Sequence, residues 1–331
     1  MQKNLQKNLQ KKNYECDKYC TTADRLETML QEYGIAIIPQ VLDEKECRDI
    51  VDGFWTFFEH ITQAWDVPIK RAEKESWKDF PKLYPMHSML IQHWNIGHSQ
   101  FVWDVRQNEK IVAIFAQFWK CTKEELQVSF DGASFSCPPE GTKRGWNRDH
   151  TWYHTDQSYT NNAFSTLQSW VTGLDVNEGD ATLAFMEKSH TFHKECAETF
   201  KLVDKANWHK LTPEEEQFYV DRECSYTYVK VPKGSVVFWD SRLIHCGVEP
   251  SKDREYPNFR AVVYLCYTPT TTFSKRELEK RKLMLANLRM TTHGGKKMFP
   301  KTPRTYGGDI PQITAISAPE LSDLGKSLAG F

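Results

Sequence analysis

Residues 165–187 read STLQSWVTGLDVNEGDATLAFME. Two short runs rich in Val, Thr, Trp and Phe flank NEGD, a cluster of turn-forming residues. They are therefore expected to be two strands and the connection between them. Runs of the same character recur on both sides: LQVSFDGASF (126–135), SYTYVKV (225–231), GSVVFWD (234–240) and RAVVYLCYT (260–268), with VPKG as a further turn signal. Many short strands at this spacing predict an antiparallel sandwich or barrel.

Upstream of this β-rich region the pattern is helical. TTADRLETMLQEYG (21–34) places Leu26, Met29 and Leu30 at helical spacing and stops at Gly34. IAIIPQVL (35–42) then reads as a buried strand. Asp43 is placed to cap a helix whose apolar residues Cys47, Ile50, Val51, Phe54, Phe57, Phe58 and Ile61 share one broad face, and NEKIVAIFAQFWKC (108–121) reads as a further helix. The stretch from Pro68 to Trp103 is aromatic, Pro-containing and irregular. After Thr272, SKRELEKRKLMLANLRM (274–290) predicts a charged, solvated helix, followed by a Gly/Pro/Lys-rich stretch. The expected divisions are a mobile polar tail over 1–20, one domain over 21–272, and a C-terminal helix and extension over 273–331. The fold class is mostly β with flanking helices.

With 40% apolar and 13% aromatic residues, the chain has ample material for a packed core, so global disorder is excluded. The 44 acidic and 43 basic residues nearly cancel, which removes any broad electrostatic case for nucleic acid or an anionic membrane. Nine scattered cysteines without a CxxC pair do not form a disulfide framework. No signal-like apolar stretch or membrane-length run occurs, and the location expected from this is cytoplasmic.

The chemistry centres on WYHTDQSY (152–159). His154 and Asp156 are two residues apart, so on an extended segment both point to one face. An imidazole and a carboxylate so placed make two thirds of a facial triad, the ligand set that leaves positions open on non-haem Fe(II). His245, after the strand ending at Asp240, is placed to supply the third ligand from across a barrel. An Fe(II) oxygenase also needs electrons from a co-substrate. The remote carboxylate of 2-oxoglutarate would call for an arginine, whose planar fork donates two charge-assisted hydrogen bonds. Arg260, opening a strand, is favoured for this over Arg254 in a charged loop.

With these residues in place, the sequence resembles the phytanoyl-CoA dioxygenase family of Fe(II)/2-oxoglutarate-dependent oxygenases. The likeness rests on HTD at 154–156, on His245 followed by Cys246 and Gly247, on FRAVV with Arg260, on GIAIIPQVLDEKECRDI (34–50) and on WVTGLDVNEGDATLAFMEKSH (170–190). It implies a double-stranded β-helix (jelly-roll, cupin-like) core. It further implies Fe(II) held by His154, Asp156 and His245, with 2-oxoglutarate and O2 as co-substrates. Trp170 matches the aromatic residue lining the family's co-substrate pocket, with Gln168 and Thr182 as further contacts. The residues after Thr270 have no counterpart in this pattern.

The expected activity is hydroxylation of a C–H bond in a small-molecule substrate, with 2-oxoglutarate decarboxylated to succinate and CO2; a peptide or protein substrate stays open. Asp156 favours hydroxylation over halogenation, which needs a small residue at that position. Two competing readings are a catalytically silent β-helix protein acting as a binding or scaffold module, and a Zn-dependent hydrolase on the same ligands. His150 is read as a substrate or outer contact, His190 as structural, His193 as solvated, and Cys246 as packing.

Overall fold

The computed structural model describes residues 12–148 and 151–331. Its strands are β1 (Tyr14–Glu15), β2 (Ile35–Ile38), β3 (Leu90–Ile91), β4 (Leu126–Val128), β5 (Ala133–Ser136), β6 (His154–Thr155) and β7 (Leu167–Thr172). Then follow β8 (Thr182–Met186), β9 (His209–Lys210), β10 (Tyr226–Val229), β11 (Val236–Asp240), β12 (His245–Val248) and β13 (Arg260–Pro269). They form two sheets, ordered β1-β10-β8-β12-β6-β9 and β2-β11-β7-β13-β5-β3, with β4 also paired to β13. All pairings between these strands are antiparallel except β1 with β10. This is the jelly-roll core expected from the sequence.

The two strands of the 165–187 stretch, β7 and β8, lie in different sheets. β7 is central in the larger one, where Trp170 faces Val237 of β11 and Tyr264 of β13. β8 is central in the smaller one, where Phe185 faces His245 of β12. Every residue of β7, β8 and β11 is buried, because both faces of each sheet are covered. Between the sheets lie Trp170, Val237, Trp239 and Val262 from one side and Leu183, Phe185 and Val229 from the other. The outer face of the larger sheet, including Phe135, Val171, Phe238 and Val263, packs on the N-terminal helices. The outer face of the smaller one, Ala184, Met186, Cys246 and Val248, packs against Cys196, Phe218 and Tyr219, which lie on helices His193–Phe200 and Pro213–Val220.

Helix α1 (Leu26–Tyr33) stops at Gly34, whose φ of 80° is left-handed. Helix α2 (Glu44–Ile61) begins with a capping box, in which Asp43 accepts from the Glu46 backbone and the Glu46 side chain accepts from the Asp43 backbone. Its buried stripe of Cys47, Ile50, Phe54, Trp55, Phe57, Phe58 and Ile61 covers the larger sheet. No helix among the described residues is long and apolar enough to cross a membrane.

Three expectations need correction. Residues 12–20 are not a mobile tail. β1 extends the smaller sheet, and Tyr19 is fully buried with its hydroxyl bonded to Glu187; residues 1–11 lie outside the described residues. His193 is not solvated, since it is buried and stacked on Tyr159 with ring centroids 4.3 Å apart. The helix Lys275–Ala286 is not solvated all round. Arg281 is fully buried, its guanidinium donating to Gly295 O (2.9 Å), Val128 O (2.6 Å), Leu328 O (3.1 Å) and Gln127 Oε1 (3.2 Å). A long cationic side chain in a Lys/Arg run carries no sequence mark that distinguishes it from its exposed neighbours.

Candidate metal centre

His154 lies on β6 and His245 on β12, and the two residues are register partners across an antiparallel pair. Their ring centroids are 4.4 Å apart. Asp156 follows β6 in a segment held by two hydrogen bonds to one carbonyl, Asp156 N to Ser241 O (3.1 Å) and Thr155 Oγ1 to Ser241 O (2.9 Å). Asp156 Oδ1 is thereby 3.6 Å from His154 Nε2, and Oδ2 is 3.5 Å from His245 Nε2. One ligand atom from each of the three residues lies within 4.8 Å of the other two. Side chains up to 91 positions apart (245 − 154) meet at a single point.

The tautomers are fixed by neighbouring backbone. His154 Nδ1 faces Trp152 O at 3.2 Å and His245 Nδ1 faces Leu243 O at 2.9 Å. A carbonyl can only accept, so both Nδ1 atoms carry the proton and both Nε2 lone pairs point inward. Burial, then the proximity of His245, lowers the pKa of His154, which keeps the ring neutral. Burial alone would raise Asp156. His293 first, then His154, with hydrogen bonds from His154 and His245, outweigh it and hold the carboxyl well below the usual range. An Nε2 atom from each of two imidazoles and one carboxylate make a donor set that suits a divalent cation.

Gln168 reaches this carboxylate, donating from Nε2 to Asp156 Oδ2 at 2.8 Å. The sequence placed Gln168 beside the co-substrate, and in the structure its contact is with the ligand set. Gln168→Leu is expected to weaken Fe(II) or Co(II) affinity by ~10–100-fold, since an outer hydrogen bond to a ligand is lost. Calorimetric titration of the apoprotein with Co(II) measures it.

Arg260 is buried at the start of β13, in register with Ser136. Its Nε donates to Ser134 Oγ and one Nη to Ala181 O, both at 2.8 Å, and its guanidinium lies 5.6 Å from the centroid of the Trp170 ring. The other Nη has no partner among the described residues. Arg254 is fully engaged instead, with Glu140 at 2.6 Å and Asp180 at 3.0 Å. Trp170 alternates with Gln168 on the inner face of β7, and its Nε1 is buried without a partner, as is Ser136 Oγ. Orphaned donors around a cation fit a buried carboxylate guest. Thr182 does not join this group. Strand alternation puts Leu183 and Phe185 inward, while Thr182 pairs with Val248 on the outer face and donates to Val229 O at 2.6 Å. His150 lies outside the described residues.

A cavity of about 940 Å3 has Ser136, the register partner of Arg260, and His87 among its lining residues, and none of the three candidate ligands. Met89 also lines it, and Trp77, Phe80 and Phe299 give it an apolar wall. His87 stacks on Trp152 (3.7 Å between centroids, 3° between planes), and Trp152 stacks on His154 (4.7 Å, 5°). The irregular 68–103 stretch thus touches the ligand set through aromatic rings. The structure also adds a group that the sequence reading did not single out: His293, whose Nδ1 is 3.9 Å from Asp156 Oδ2. It lies 137 positions (293 − 156) beyond that residue in a Gly/Lys-rich stretch, with no strand pattern to place it.

Together the sheets and the donor set define a jelly-roll protein with a candidate metal site of two histidines and one aspartate. Residues 30–249 match the family described as Phytanoyl-CoA dioxygenase (PhyH), and the chain belongs to that family. Ava biosynthesis cluster protein O of Aspergillus versicolor is 24% identical over 209 residues, 61% of this chain and 65% of its own length. The chain therefore matches less than two thirds of that relative. Among solved structures, the hypothetical protein JW0805 from Escherichia coli aligns with a TM-score of 0.59 at 13% identity, over 95% of this chain and 85% of that one. GlcNAc Inducible Gene 2, GIG2 (DUF1479), from Candida albicans gives 0.53 at 15%, over 83% and 71%. These two likenesses concern the fold alone.

Proposed function

We propose that this enzyme hydroxylates a C–H bond of a small-molecule substrate, with His154, Asp156 and His245 as the iron ligands and Arg260 as the anchor for 2-oxoglutarate. The observation that carries the reading is the convergence of the three ligand atoms within 4.8 Å, with Arg260 brought beside Trp170 in the same interior. Iron with 2-oxoglutarate and O2 supplies an oxidant able to break an unactivated C–H bond, with succinate and CO2 formed alongside. This chain supplies the placement. Trp152 O and Leu243 O aim the imidazoles, Gln168 steadies the carboxylate, and Arg260 with the free Trp170 Nε1 offers donors to a dicarboxylate. The buried walls around Trp170, Phe185 and Trp239 keep water from the reacting centre.

The Asp156 carboxylate fills the position that a halide would need, which supports hydroxylation over halogenation. The apolar, aromatic cavity supports a substrate with a substantial apolar part. The relative named for a biosynthesis cluster supports a product of small-molecule biosynthesis. The test is an anaerobic titration with Fe(II) and 2-oxoglutarate, followed by succinate release against a metabolite panel and mass spectrometry for a gain of one oxygen. A visible charge-transfer band and substrate-dependent succinate are expected. Absence of the band with Fe(II) bound would refute the reading.

A further inference from the structure

The segment beyond β13 brings its own side chain to the metal centre. After helix Lys275–Ala286 the chain makes a hairpin. Thr291 bridges Met298, Thr292 N donates to Lys297 O (3.0 Å) and Gly295 N donates to Thr292 O (2.9 Å). Gly295 sits at φ +69°, a conformation that costs a larger residue strain. The hairpin is pinned to the core on two sides. Thr291 N donates to Phe130 O and Phe130 N to Thr291 Oγ1, both at 2.9 Å, while the buried Arg281 donates to Gly295 O at 2.9 Å. Backbone held at these points fixes where His293 stands.

His293 Nδ1 is 3.9 Å from Asp156 Oδ2, the oxygen that already accepts from Gln168. The His293 side chain is four-fifths buried and makes no hydrogen bond among the described residues. Hydrogen-bond donors to a ligating carboxylate set its orientation. A movement of about 1 Å would bring His293 to hydrogen-bond length. The contact is built from a segment with no counterpart in the family pattern that the sequence resembles.

We propose that His293 is a positioning residue of the metal centre, delivered by the C-terminal extension, which donates to Asp156 Oδ2 and fixes the orientation of that carboxylate. The inference rests on His154, Asp156 and His245 being the ligands. It makes the extension a structural component of the site.

Co(II) is the probe, titrated anaerobically into apo wild type, His293→Ala, His293→Gln and His154→Ala and followed by visible absorption and calorimetry. His293→Ala is expected to weaken Co(II) binding by ~10–100-fold and to change the ligand-field bands, with the apoprotein's thermal unfolding unchanged. His293→Gln, which keeps an amide donor, is expected to recover most of the affinity and the spectrum. Should His293→Ala fail to fold, His293→Phe, which retains ring volume without a donor, takes its place. Wild-type affinity and spectrum in the Ala or Phe variant would overturn the proposal. So would a Gln variant no better than Ala. Failure of His154→Ala to lose Co(II) would instead overturn the ligand assignment, and the role of His293 with it.

Discussion

His154→Ala is expected to lose 2-oxoglutarate turnover altogether, with succinate formation falling by far more than the ~10–100-fold that removal of an outer partner costs. Among the described residues, the only other group of three ligating side chains is Cys16, Asp17 and Cys20, just after β1, so no second complete donor set takes up the metal. Asp156→Ala is expected to act alike, because its two oxygens face the two imidazoles at 3.6 and 3.5 Å. Succinate release and Co(II) binding, measured together, distinguish loss of metal from loss of fold. Circular dichroism is the control, since His154 also supports the Trp152 ring. Turnover at the wild-type rate in either variant would show that the ligands lie elsewhere.

Arg260→Ala is expected to raise the KM for 2-oxoglutarate on the order of 100- to 10,000-fold while metal affinity holds. Two charge-assisted hydrogen bonds, each contributing ~1.5–3 kcal/mol, account for that range. Some stability also goes, because Ser134 Oγ and Ala181 O lose their donor. Arg260→Lys keeps the charge but not the fork, and an intermediate KM follows. The measurement is succinate release against 2-oxoglutarate concentration at saturating Fe(II). An unchanged KM in the Ala variant would remove Arg260 from the co-substrate site.

Much of this was readable from residue order. The alternation in HTD, the apolar run before Asp240 and the opening of RAVVYLCYT single out His154, Asp156, His245 and Arg260; the two histidines and the arginine lie on strands, whereas Asp156 lies in the bend after β6. The resemblance pointed to Thr182 as a further contact, and the structure turns it to the outer face instead. The connection after Gly173 decides which face of β8 turns inward, and a turn of unknown geometry leaves that parity open. The Gln168 contact with Asp156 was not legible, because the bend after Thr155 that swings Asp156 toward it is held by Ser241 O in the turn after β11. Helices His193–Phe200 and Pro213–Val220 were passed over, since short amphipathic segments between strands give weak periodicity. His293 was out of reach because hairpin placement depends on pins such as Thr291 and Arg281 rather than on local pattern.

The buried Arg281 has no acid opposite it, only carbonyls and one amide, and burial lowers its pKa to about 9. One of those carbonyls belongs to Leu328, in helix Asp323–Ala329, and another to Val128, in the strand paired with β13. A single guanidinium thus rivets three distant stretches into one block. Trimming the chain before that helix would strip an acceptor from a cation that cannot easily shed its proton, so shortened versions should melt earlier rather than behave as a tidier catalytic core.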